Sequence, residues 1–95
     1  MSSTRQKIFN TYPGAEDELL FLEERFDEAI IGVVHGQAKL FAVCYSEPKV
    51  LEILVEQDNM DPEEAMEWYQ FNMVGSYVGD NTPVFIDEDV LQYDD

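Results

Sequence analysis

Carboxylates are the main chemical resource of this chain, which sets 21 Asp and Glu against 5 Lys and Arg for a net charge of −16. Paired carboxylates do acid–base work when their surroundings push their pKa values apart. Nothing in the sequence sets one pair apart from the rest. The other reactive types are single: one histidine, His35, and one cysteine, Cys44. His35 stands beside Gly36 in a turn pattern, with no second His or Cys at ligand spacing, and is expected to be an exposed turn residue. Cys44 lies in the apolar run Leu40–Tyr45 with no basic neighbour to lower its pKa, which predicts a buried and inert thiol. Asp58-Asn59-Met60-Asp61 lacks the Gly and the terminal Glu of a calcium loop. Gly75-x-x-x-Gly79 is not a phosphate loop. The expectation is a protein that is not an enzyme and needs no metal or cofactor.

What remains is binding. Glu52 and Glu56 stand four residues apart, as do Glu63 and Glu67, so on helices each pair occupies one face. With Glu47, Asp58 and Glu64 they predict an acidic face opposite an apolar stripe, supported by Asp87, Glu88 and Asp89 near the C-terminus. Like charges at this spacing cost a few tenths of a kcal/mol each. A second candidate is a loop or ligand site built from Asn72, Gly79 and Thr82, because Asn both donates and accepts hydrogen bonds.

The charge restricts the partners. Affinity for nucleic acid comes from Lys and Arg displacing counterions, so direct nucleic-acid binding is excluded. A protein that itself binds nucleic acid has a basic groove, and carboxylates on a folded surface can compete for it. The expected partner is therefore the basic surface of a host nucleic-acid-binding protein, such as a defence effector. The alternative is a structural or self-associating domain whose acidity only keeps it in solution. A homodimer would then form through Leu40–Tyr45 or through Trp68 and Phe71. No apolar run approaches the ~18 residues needed to span a bilayer, so no membrane role is expected. With one cysteine and no signal-peptide pattern, a cytoplasmic setting is expected.

The elements that must position these residues follow from local patterns. Residues 1–15 carry Arg5 and Lys7 and no acid, and read as a flexible, weakly basic lead-in that can fold back on the acidic body. Residues 16–95 read as one domain with a short acidic tail. Leu19–Leu22 is too short an apolar run to separate strand from helical turn, and the working order treats it as a strand. Ala29–Val34 and Lys39–Tyr45 flank His35-Gly36-Gln37 as a β-hairpin, with Gly32 marking a bulge or a close approach. Phe41, Val43 and Tyr45 alternate with Leu40, Ala42 and Cys44, all apolar, so this strand should be central and covered on both sides. Ser46-Glu47-Pro48 starts a helix that runs to about Gln57. Asp61-Pro62-Glu63-Glu64 starts another, with a capping box, which runs to about Val74 and stops at Gly75. Tyr77-Val78 and Val84–Ile86 flank a loop that leads into a last strand. The order β-β-β-α-α-β predicts an α+β fold: a small antiparallel sheet of three to four strands with two helices packed on one face.

The C-terminal half carries Glu63-Glu64-Ala65, Trp68, Phe71-Asn72, Gly75, Tyr77-Val78-Gly79 and Thr82-Pro83-Val84-Phe85. Upstream stand Phe26–Val33, Cys44-Tyr45 and Val50–Leu54. This pattern resembles a family of small uncharacterised proteins of bacteriophages and prokaryotes, and spans most of Leu20–Ile86. The resemblance implies one compact domain in a phage or prokaryotic setting and lends no catalytic residues.

Overall fold

The computed structural model describes residues 3–36, 41–75, 79 and 81–92. Their chain order is α1 (Ser3–Thr11), α2 (Ala15–Glu18), a 3-10 segment (Glu24–Ala29), β1 (Ile30–His35) and β2 (Phe41–Ser46). Then come α3 (Glu47–Gln57), α4 (Pro62–Tyr69), a π turn (Gln70–Val74), β3 (Val84–Ile86) and a second 3-10 segment (Glu88–Gln92). The fold is α+β, as expected, and its sheet order is β1-β2-β3. The sheet is mixed rather than wholly antiparallel: β1 pairs antiparallel to β2, and β3 pairs parallel to β2. A parallel neighbour needs a long crossover, and α3, α4 and the π turn supply it.

The β1–β2 hairpin is confirmed, and its register shifts between Ile30 and Gly32, the bulge that Gly32 signalled. β2 is the central strand. Ala42, Val43, Cys44, Tyr45 and Ser46 are all buried. Val43 and Tyr45 join the core, where α3 contributes Val50, Ile53 and Leu54 and α4 contributes Ala65 and Tyr69. Leu40 and Lys39 of the expected strand, Gln37 of the turn, Tyr77-Val78 and the terminal Asp94-Asp95 lie outside the described residues.

Two expectations need correction. Residues 3–11 form α1 and place Ile8 in the core, so the body of the fold reaches into the predicted lead-in. Its anchor is charged: Arg5 Nε donates to both carboxylate oxygens of Asp27 at 3.0 and 2.8 Å, and its Nη2 donates to the Leu22 carbonyl at 2.8 Å. Leu19–Leu22 joins no strand ladder. Its backbone is held instead by a side chain, as the Leu22 N–H donates to the Tyr45 hydroxyl at 2.9 Å. Leu19 fills the core from this irregular segment.

The helix signals held. The Ser46 hydroxyl accepts from the Lys49 N–H at the start of α3, with Pro48 in the first turn. Asp61 and Glu64 form the full capping box of α4. At the far end the chain widens into a π turn, where the Gly75 N–H donates to the Gln70 carbonyl at 3.0 Å. A Cβ at Gly75 would stand 3.1 Å from that carbonyl oxygen, which is why glycine closes the turn.

Candidate functional site

Helix periodicity distributes the acids as expected. On α3, Val50, Ile53 and Leu54 turn inward, so Glu52 and Glu56 fall on the opposite side and are exposed. On α4, Ala65 and Tyr69 turn inward, and Glu63, Glu64 and Glu67 are exposed. α3 packs against both α4 and the 3-10 segment Glu88–Gln92, so all three acid-bearing elements adjoin one helix. A single described cation stands among these acids: Lys49 Nζ lies 3.5 Å from Glu52 Oε1.

The acids are not equivalent, however. Glu64 spends part of its carboxylate on the cap, accepting from the Asp61 N–H at 3.4 Å. Glu47 accepts from the Tyr69 hydroxyl at 2.8 Å, and Asp58 takes both Nη groups of Arg25. Glu88 accepts from the Ser46 hydroxyl. Asp87 accepts from the Asp89 N–H at 3.2 Å, and Asp87 and Asp89 are half-buried. Glu88 therefore ties the C-terminal segment to Ser46 of β2, while the Asp87–Asp89 bond lies within that segment. Glu52 and Glu56 on α3 and Glu63 and Glu67 on α4 are left as the outward acids.

The second candidate also takes shape. Asn72 and Thr82 line one cleft of about 240 Å³, walled by Leu20, Phe21, Leu22, Met73, Pro83 and Phe85. Gly79 does not line the cleft and is tied to it through Thr82. Its φ of 121° is the left-handed backbone that favours glycine, and its carbonyl accepts from the Thr82 hydroxyl at 2.7 Å. Asn72 Nδ2 donates to the Trp68 carbonyl one turn back at 2.9 Å, and Asn81 ties the loop to β2, donating to the Phe41 carbonyl at 2.7 Å. The Leu20–Leu22 wall was not foreseen, because its apolar run gave no sign of where it would pack.

The lone reactive residues sit as their surroundings dictate. Cys44 is buried, and burial followed by the nearby Glu88 charge pushes its thiol pKa up, which disfavours the nucleophilic thiolate. His35 is exposed at the end of β1 and is held by a 2.8 Å hydrogen bond with the Tyr12 hydroxyl. Among the described residues no group of three or more His, Cys, Asp or Glu is placed to hold a metal ion. No described helix is long and apolar enough to cross a membrane. No family model, curated protein or solved structure matches the chain.

Proposed function

We propose that this is a small acidic interaction protein that occupies the basic surface of a host nucleic-acid-binding protein and inhibits it by charge competition. The observation that carries this reading is the exposure of Glu52 and Glu56 on α3 and of Glu63 and Glu67 on α4, two packed helices, with Lys49 as the one described cation in ion-pair contact with any of them. Residues four apart rise ~6 Å along a helix, whereas one DNA strand places a phosphate every ~3.4 Å. One helix is thus a sparse imitation, and both helices must engage together.

The test is capture from host extract at low salt, followed by elution with duplex DNA. Wild type is expected to retain nucleic-acid-binding proteins that DNA releases. A chain carrying Glu52→Lys, Glu56→Lys, Glu63→Lys and Glu67→Lys is expected to retain none. Equal capture by both would refute the proposed face. The cleft beside Asn72 and Thr82 supports a second reading, a small-ligand module. Its ~240 Å³ falls just below the usual range for ligand sites, so a thermal-shift screen with small apolar fragments is the matching test.

A further inference from the structure

Phe71 is the most exposed large apolar side chain among the described residues, at 84%. The π turn that carries it buries Met73 and leaves Phe71 in water, and π turns inside helices occur often at functional sites. Phe71 stands in a shallow groove of about 260 Å³ with Glu64, Glu67, Trp68 and Asn72. Positions 64, 67, 68 and 71 follow one strip of a helix surface. The groove therefore offers two aromatic rings and two carboxylates side by side. Asn72 gives one of its two amide N–H groups to the Trp68 carbonyl, which leaves a second N–H and the amide oxygen at the groove.

This combination selects among occupants. An apolar segment would fit the rings but strip water from Glu64 and Glu67 without replacing it. An anion would meet the field of a chain of net charge −16. A lysine ammonium would satisfy the charge but has no flat face to stack. A guanidinium has both: its plane stacks on aromatic rings while its N–H groups reach carboxylates. We propose that this groove seats an arginine side chain of the partner protein, stacked against Trp68 and Phe71 and hydrogen-bonded to Glu67, with Glu64 adding charge. The proposal rests on the acidic-surface reading and specifies the chemistry of its contact.

Trp68 is the one tryptophan of the chain, so its emission reports this groove directly. The full chain would be titrated at low salt with a hexa-arginine peptide and separately with hexa-lysine, following Trp68 fluorescence and calorimetric heat together. The expected result is a saturable emission change that tracks the heat, with hexa-arginine bound about fivefold more tightly than hexa-lysine. Phe71→Ala should weaken hexa-arginine by about fivefold with unchanged circular dichroism, and Phe71→Tyr should restore it. Heat of binding with unmoved Trp68 emission would overturn the seat, as would equal affinity for both peptides or full affinity in Phe71→Ala. Each of those results leaves the acidic-surface reading standing. Absence of both heat and emission change with either peptide would sink both.

Discussion

Where α1 meets the first 3-10 segment, charge is matched partner by partner, whereas along the outer faces of α3 and α4 it is left open to water. At the corner, Asp27 is only 5% exposed and is gripped by Arg5, whose guanidinium also lies 4.6 Å from the Phe21 ring centre. Arg25 binds Asp58 and lies 4.5 Å from the Phe26 ring centre. On the outer faces no described cation forms an ion pair with Glu56, Glu63 or Glu67, and Glu52 has one long contact with Lys49. Two of the chain's five cations are thus committed to fastening the fold, in a protein with carboxylates to spare. Acids that hold structure and acids that face outward are separate populations, and they should respond to substitution in opposite ways.

The sharpest way to break the contrast is Asp27→Ala. It removes the carboxylate from a partly buried guanidinium, and losses of this kind run to about 3 kcal/mol. Urea unfolding should show that loss, with α1 detached; an unchanged midpoint would mean that the corner is not held by charge. Raising pH tests the same corner through Tyr45. Burial lifts its pKa to about 12, the Leu22 N–H opposes the rise, and nearby Asp27 adds to it. The folded value lies above the unfolded value of about 10, so the neutral phenol is the form that the fold favours. Stability should therefore be intact below pH 10 and fall progressively as pH climbs toward 12. Tyr69 is raised by burial and by its bond to Glu47, and works in the same direction. In Tyr45→Phe the alkaline decline of the urea midpoint should be shallower, at the cost of leaving the Leu22 N–H unpaired.

Tyr69→Phe removes the donor to Glu47 inside the helix pair and should cost about 1 kcal/mol in the same assay. The smallest effect carries the opposite sign. Glutamine at positions 52, 56, 63 and 67 removes like-charge pairs, and should stabilise the fold by a few tenths of a kcal/mol at low salt. The gain should vanish at high salt, where screening already quiets the repulsion. Destabilisation by those four changes would show that the outer acids belong with the structural ones after all.

Features set by neighbours in sequence were legible before the fold was known. The Asp61–Glu64 capping box, the Pro48 start, the Gly32 bulge and the Gly75 stop each depend on a few adjacent residues. The outward placement of Glu52, Glu56, Glu63 and Glu67 needed only helix periodicity. What stayed hidden depends on distant partners. β3 has three residues, and its parallel alignment on Cys44, Tyr45 and Ser46 is set across forty positions. α1 has a polar sequence that gives little helical signal, and Arg5 meets a residue 22 positions away. The groove was half visible: Trp68 and Phe71 read as an apolar face suited to self-association. The change to π geometry, which leaves Phe71 outside, depends on packing around Met73 and Tyr69 that no local pattern encodes.

Cys44 has a practical consequence as a built-in clock. It is the one thiol of the chain, it sits in the central strand opposite Val84, and Glu88 lies close to it. Cys44 is 8% exposed between β1 and β3, so a thiol reagent should reach it chiefly when the sheet around it opens. The rate of labelling under native conditions therefore counts those openings without an added probe. Comparison with the rate of global unfolding would show whether the sheet opens locally or only when the whole domain lets go.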